Sequence, residues 1–454
     1  MTAMESQRSR RLEQIVRGAI GTNDDVCLDR LTGGASRETL LVTFGEAGRE
    51  RRYVLRISTA ENIGSGSLRL EADAMAAAAA AGVPVPRVHV VGSDDVVGGT
   101  YMLMDHVDGE TIARRILRED AFADVRAHLA GDLGKTLGRI HGASIDSEEL
   151  RTLDPDPILR LLASSGRDRP PDPGLALGVA WLRDNRPPPA SQCLVHGDLR
   201  LGNLILGREG LRAVLDWECA HIGDPVEDIG WLCAKVWRFG SALPAAGVGT
   251  RDELLDGYES VTGWRPSAAQ VHWWELYATI RWGLGCALQA DRHLSGAETS
   301  IELLAIGRRA AEQEFDVMLG LGLDAPFRAE DVLEEGGPEP HGGYGRPTAD
   351  DLAAGVEAFL ESEAIPLGAR FGFNARIAAN VMRTLRRELR LRDEHGVRHR
   401  ARLEGLGVCD DEALSRAILD GSLSDRSDEV IETVRASVRE RLLVSNPHHL
   451  SRPA

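Results

Sequence analysis

Val195-His196-Gly197-Asp198-Leu199-Arg200-Leu201-Gly202-Asn203, followed by Val214-Leu215-Asp216-Trp217-Glu218, is the stretch around which the rest of the chain is organised. Asp198 and Asn203 stand five apart, and Asp216 follows Asp198 by eighteen. Three apolar runs flank them, Cys193-Leu194-Val195, Leu204-Ile205-Leu206 and Ala213-Val214-Leu215. Runs of this length and composition predict short buried strands, so the polar groups emerge from a rigid base. A carboxylate can accept a proton from an attacking hydroxyl, and a second carboxylate with an amide oxygen can hold a hard cation such as Mg²⁺.

The spacing matches the kinase catalytic loop, His-x-Asp-x-x-x-x-Asn, followed by a metal-binding Asp. Gly197 stands where protein kinases have Arg, and Asp216-Trp217-Glu218 replaces Asp-Phe-Gly. With these changes and Gly223-Asp224-Pro225 the segment resembles the aminoglycoside phosphotransferase-like kinases. It most resembles the kinase domain that precedes the dehydrogenase in certain acyl-CoA dehydrogenases. The resemblance implies an α+β, two-lobed protein-kinase-like fold, with a β-rich N-lobe over residues 1–107 and a helical C-lobe over 108–323. It also implies ATP and Mg²⁺ as cofactors, with Asp198 as the base and Asn203 and Asp216 as metal ligands.

Upstream, Leu31-Thr-Gly-Gly-Ala-Ser-Arg-Glu-Thr-Leu-Leu-Val-Thr-Phe44 reads as a glycine turn between two β-like runs. In the resembled family this hairpin covers the nucleotide phosphates, with Gly33 and Gly34 allowing close approach and Ser36 and Thr39 as polar contacts. On the next run, Arg52-Tyr-Val-Leu-Arg-Ile57, kinases place a phosphate-binding Lys where this chain has Arg56. A guanidinium can fork onto phosphate oxygens. Glu71, on the helix predicted from Leu68 to Gly82, takes the place of the glutamate that pairs with that cation. Tyr101-Met-Leu-Met104 and Asp105-His-Val-Asp-Gly109 look like the hinge, where backbone near Asp105 and Val107 would read the adenine edge. Asp228 is read as an anchor for catalytic-loop backbone.

The periodicity predicts a short leading helix over 9–20 and a longer one over 122–141, with Leu129, Leu133, Leu137 and Ile140 on one face. Asp224 follows Asp216 by only eight positions. That leaves no room for a protein-kinase activation loop and favours a small-molecule acceptor. Six of the eight tryptophans fall between Trp231 and Trp282. Trp274, Arg281 and Trp282 share a helical face, a candidate seat for an anionic acceptor.

Acidic residues number 70 against 53 basic ones, a formal net charge of −17, which disfavours nucleic acid as a partner. No uncharged run is long enough to span a membrane, and the N-terminus lacks a secretory apolar core. Six scattered cysteines without a Cys-x-x-Cys pair are read as reduced, mostly core residues of a cytoplasmic protein. Residues 324–347 read as a linker by glycine, proline and charge. Beyond it, helical patterns at 349–362, 370–394, 411–421 and 426–442 predict a small all-α domain over 348–454. This domain resembles an uncharacterised helical module fused to this kinase branch. Its Arg383, Arg386, Arg387, Arg390 and Arg392 are expected on a solvated face, and residues 1–330 are expected to fold alone.

The function expected is ATP- and Mg²⁺-dependent transfer of a phosphoryl group to a hydroxyl of a small molecule, with a hydroxyacyl-CoA or hydroxy acid as acceptor. The alternatives are an aminoglycoside or macrolide kinase of the same fold, and a nucleotide-binding scaffold that has lost catalysis.

Overall fold

The computed structural model describes residues 3–31, 37–45, 50–59, 67–145, 156–163, 170–298, 300–329, 349–365 and 369–453. They separate into two compact units, Met1–Leu153 with Pro188–Trp274, and Asp154–Pro187 with Glu275–Ala454. The architecture is α+β, a sheet-rich beginning followed by helices.

The first unit opens with α1 (Ala3–Ile20) and a five-stranded antiparallel sheet of order β1-β2-β3-β5-β4. Its strands are β1 (Val26–Arg30), β2 (Glu38–Phe44), β3 (Arg51–Thr59), β4 (Val88–Asp94) and β5 (Gly99–Asp105). Alternation along β2 and β3 sends Leu40, Val42, Leu55 and Ile57 into a core with Leu12 and Val16 of α1. Arg56, between two buried neighbours, therefore lies on the opposite face, with Thr39 as its cross-strand partner. α2 (Leu68–Ala80) starts on a side-chain cap, the Ser67 hydroxyl accepting the Leu70 N–H at 3.1 Å.

After the hinge come α3 (Ala113–Arg118) and α4 (Ala123–His141). All four residues expected on the inner face of α4 are buried. Two small two-stranded antiparallel sheets follow, β6 (Cys193–Val195) with β9 (His221–Gly223) and the hairpin β7 (Leu204–Gly207) with β8 (Gly210–Val214). α7 (Val226–Cys233) and α8 (Arg251–Thr262) complete the unit with the first turns of α9 (Ala268–Leu294). α8 carries a full capping box, Thr250 with Glu253.

The second unit holds α5 (Pro157–Ala163), α6 (Pro173–Asp184), the rest of α9, α10 (Ile301–Gly307) and α11 (Ala310–Gly320). It also holds α12 (Ala349–Phe359), α13 (Ala369–Leu406), α14 (Asp411–Asp420) and α15 (Ser427–Ser445). One core joins Ala311, Phe315, Met318 and Leu319 of α11 to Leu403, Leu414, Val434, Val438, Leu442 and Leu450. The division therefore differs from the one expected at 324–347, because α11 shares its apolar face with the C-terminal helices. Even the start of that segment is fixed to them. The Phe327 N–H donates to the Leu450 carbonyl at 2.8 Å, and Asp324 pairs with Arg439.

Two further expectations change. The helix predicted over 370–394 runs on to Leu406, since Gly396 alone costs only about 1 kcal/mol and Arg398 pairs back to Glu394. The arginines expected on a solvated face are largely stapled to neighbouring helices. Arg386 and Arg390 reach Asp350 at 2.7 Å, Arg383 reaches Glu357 at 2.6 Å, and Arg387 donates to the Val444 carbonyl at 2.7 Å. Cys27 and Cys409 are exposed, whereas Cys233 and Cys286 are core residues. Among the described residues no helix is long and apolar enough to cross a membrane.

Candidate active site

The catalytic-loop stretch leaves β6, makes a short 3-10 turn at Leu201–Asn203 and returns into β7. Gly197 sits at φ 79°, and a Cβ there would collide with the Cys219 carbonyl oxygen. That close approach explains why glycine, not arginine, stands in the middle of the triplet. The Asp228 carboxylate pins the loop, one oxygen accepting the Gly197 N–H and the other the His196 N–H, each at 2.8 Å. His141 also meets Asp228, at 3.2 Å. Burial pushes the Asp228 carboxyl up, but the contacts with His141 and the His196 backbone N–H outweigh it and hold it below its ordinary value.

His196 ties this loop to the segment after β8 that carries Asp216. Its Nδ1 accepts the Asp198 N–H at 3.1 Å, so the other ring nitrogen carries the proton and donates to the Leu215 carbonyl at 3.0 Å. The Leu215 N–H donates to the Asn203 carbonyl at 2.8 Å, drawing Asp216 and Asn203 into one place. Asp216 has φ 64°, a left-handed conformation that Asp tolerates better than most residues.

Asp198 is surrounded by donors. Trp231 Nε1 reaches Oδ1 at 2.9 Å, Asn203 Nδ2 reaches Oδ2 at 2.7 Å, and Arg200 Nε lies 3.2 and 3.3 Å from the two oxygens. Because Asn203 donates its amide nitrogen to Asp198, its amide oxygen points elsewhere, and it accepts no hydrogen bond among the described residues. That oxygen and the one-third exposed Asp216 carboxylate form a hard, oxygen-only donor set that suits Mg²⁺. Among the described residues no cluster of three or more His, Cys, Asp or Glu side chains could hold a metal. Mg²⁺ commonly completes its coordination with phosphate oxygens and water.

Opposite stands a chain of alternating charge. Glu71, fully buried, accepts from Arg37 with one oxygen and from Arg56 Nη1 at 2.7 Å with the other, while Arg56 Nη2 reaches Asp216 at 3.3 Å. Arg56 thus links the sheet and α2 to the segment after β8 that carries Asp216. Burial and the neighbouring Arg56 lower the pKa of Arg37.

The structure brings Asp198, Asn203, Asp216, Arg56 and Glu71 together, and Thr39 lies across the ladder from Arg56. Gly33, Gly34 and Ser36 lie outside the described residues. Asp105 pairs through its side chain with His89 at 2.6 Å and through its N–H with the Arg87 carbonyl. Val107 follows Asp105 and His106 in the passage after β5. Trp274 is buried in the first unit with its backbone against Gly230, so it is a core residue. Arg281 and Trp282 belong to the second unit and are half-buried there.

Sequence reasoning gave no role to Arg37, Arg200 or Trp231. Arg200 carried a usable signal, a cation two residues past the candidate base. Trp231 carried none, because only the return of α7 over the loop brings its indole to Asp198.

The sequence model of the phosphotransferase enzyme family matches residues 28–268, close to the extent of the first unit. A domain of unknown function, DUF6285, matches residues 366–449 in the second. Acyl-CoA dehydrogenase family member 10 of Mus musculus is 27% identical over 240 residues, 49% of this chain and 22% of that protein. Family member 11 of Gallus gallus is 31% identical over 160 residues, 33% of this chain and 20% of that protein. The chain thus spans about a fifth of the length of these relatives. A solved structure from Ralstonia eutropha, assigned as an aminoglycoside phosphotransferase, aligns at a TM-score of 0.53 and 21% identity. It covers 69% of this chain and 98% of that one, a likeness of fold. With over half its length matched by the family and the described site lying inside the match, the chain belongs to the phosphotransferase enzyme family.

Proposed function

We propose that the chain is an ATP- and Mg²⁺-dependent phosphotransferase that phosphorylates a hydroxyl of a small molecule, acting in the cytoplasm. The observation that carries this reading is the convergence of Asp198, Asn203, Asp216 and the Arg56–Glu71 pair in one hydrogen-bonded arrangement. Asp198 accepts the acceptor's hydroxyl proton as the oxygen attacks the γ-phosphorus, and the bond from that phosphorus to the departing ADP oxygen breaks. Asn203 and Asp216 would hold Mg²⁺, which supplies charge neutralisation between the phosphates. Arg56, with Thr39 beside it and with Gly33, Gly34 and Ser36 as the sequence suggests, holds phosphate oxygens, and Glu71 keeps the guanidinium aimed. The remaining work is positioning and electrostatics, since ATP brings its own leaving group.

The names of the matched relatives support an acyl-CoA-linked acceptor, a hydroxyacyl-CoA or a free hydroxy acid. The test is single-turnover phosphate release from ATP with and without Mg²⁺, followed by a panel of hydroxyacyl-CoAs, hydroxy acids, aminoglycosides and macrolides. Mg²⁺-dependent turnover stimulated by a hydroxyacyl compound is the expected result. Efficient phosphorylation of an aminoglycoside with hydroxyacyl compounds inert would overturn the acceptor assignment. Absence of nucleotide turnover under every condition would overturn the enzyme reading itself.

A further inference from the structure

Arg200 is held at three points. Its Nε lies 3.2 and 3.3 Å from the two oxygens of Asp198, its guanidinium carbon stands 4.9 Å from the centre of the Trp237 ring, and its Nη1 lies over Gly202. Gly202 makes that pose possible, because a Cβ at this position would meet Nη1. Trp237 in turn packs against Trp231, ring centres 5.2 Å apart, and Trp231 donates to the same Asp198 carboxylate. The result is a guanidinium stacked on a tryptophan pair with its Nε engaged. Among the described residues neither Nη group donates to a protein acceptor, and the side chain is 28% exposed.

A guanidinium fixed in this way presents its outer fork to one kind of partner. Two parallel N–H groups match a carboxylate or a phosphate bidentately, and stacking on an aromatic face reduces the freedom lost when the anion binds. We infer that Arg200, seated on Trp237, receives an anionic group of the phosphate acceptor, so that this site takes hydroxyl compounds bearing a carboxylate or phosphate close to the reacting hydroxyl. The inference rests on the phosphotransferase reading above and narrows its acceptor to the free hydroxy acid, since the thioester of a hydroxyacyl-CoA carries no charge beside the hydroxyl. With hydrogen bonds of about 2.8 Å to Asp198 on one side and to an Nη group on the other, hydroxyl and anion lie within a span of a few carbon atoms. The same anion also draws Nε away from the edge of the carboxylate that the hydroxyl must reach. A neutral acceptor brings nothing to do this. The terminal phosphate of ATP is the other possible source of such an anion, and the two sources load different kinetic constants.

The test uses the full chain with Mg-ATP and two probes of one skeleton, 3-hydroxybutyrate and its neutral methyl ester. Binding is followed by tryptophan fluorescence, which Trp231 and Trp237 report, and transfer by phosphorylated product. The wild type is expected to prefer the acid. Arg200→Leu is expected to raise the KM for the acid by at least about tenfold, the scale of a hydrogen bond to a charged group. The ester is not impaired, because with it Arg200 only covers Asp198; the KM for ATP stays unchanged, and Arg200→Lys recovers part of the loss. Equal use of acid and ester overturns the inference, as does an Arg200→Leu effect confined to the KM for ATP. So does an acid that neither binds nor reacts in protein whose ATP turnover is abolished by Asp198→Asn. Should Asp198→Asn instead turn over ATP as well as the wild type, the phosphotransferase reading falls first and takes this inference with it.

Discussion

One oxygen of the Asp228 carboxylate accepts the backbone N–H of Gly197 at 2.8 Å, inside a fully buried environment. The bond fixes the turn from which Asp198 projects, although Asp228 itself does not touch the candidate base among the hydrogen bonds described. Asp228→Asn places an amide NH2 against a backbone donor and breaks the contact with His141. A loss of about 3 kcal/mol of stability is expected, as for breaking a buried charged network. Urea unfolding checks it, and an unchanged midpoint would show that the loop holds its shape by other means.

Arg56 spans Glu71 and Asp216 with separate Nη groups. Lysine keeps the charge but has a single nitrogen, so Arg56→Lys cannot reproduce both contacts. The KM for ATP is expected to rise by about tenfold, the scale of one charge-assisted hydrogen bond, with the melting temperature little changed. Steady-state kinetics at saturating acceptor measures it. An unaltered KM for ATP would remove Arg56 from the phosphate site.

Asp198→Asn preserves shape while removing the proton acceptor. Turnover is expected to fall by about a hundredfold or more, with nucleotide binding near wild type. Asp216→Ala is expected to behave differently and weaken the Mg²⁺ dependence of nucleotide affinity, because a metal ligand is lost. Calorimetric titration of nucleotide with and without Mg²⁺ separates the two roles. Identical behaviour of both variants would count against the assignment.

Glu314 lies in the second unit, 1% exposed, with Arg441 at 2.6 Å and the Gly174 N–H at 3.0 Å. Burial pushes its carboxyl up to about 7, reinforced by Asp172 and Asp411 and only partly opposed by Arg441. The folded state then binds a proton that the unfolded state has already released, so stability is full below the ordinary value of 4.5 and falls as pH rises towards about 7. The loss is on the order of a few kcal/mol. Glu314→Gln, which can still accept the Gly174 N–H, is expected to flatten this dependence. Unfolding midpoints at pH 5, 6 and 7 decide it, and an equal slope in wild type and variant would refute the role of Glu314.

Removing residues after 330 would uncover Phe315, Met318 and Leu319 and leave Asp316 without His449, which meets it at 2.8 Å. Loss of several buried side chains at roughly 2 kcal/mol each exceeds what a marginal domain tolerates. The fragment 1–330 is expected to aggregate or melt without cooperativity. A soluble fragment with a sharp transition would show that α11 finds another place to bury its apolar face.

The catalytic stretch was readable from its residues because the chemistry and the chain are local there. Asp198, Asn203 and Asp216 lie within one strand–turn–strand passage, and short apolar runs fix where it emerges. Local alternation likewise set β2, β3 and the face of Arg56, and the 3.6-residue period set α4. Glu71 could be matched to Arg56 only through the resemblance, since the pair joins a strand to a helix. What the sequence could not carry were contacts between distant segments that leave no periodic trace. The indole of Trp231 reaches Asp198 only because α7 folds back over the loop, and Arg37 shares Glu71 only because the start of β2 meets α2 in space. The same holds for the division of the chain. Glycine, proline and charge marked 324–347 as a linker, but the partner of an apolar face is chosen by packing. The face of α11 found its complement in α15, and the arginines of α13 found theirs in the acids of α12. Burial of matching surfaces is decided in three dimensions, where residues far apart in the chain compete for the same neighbour.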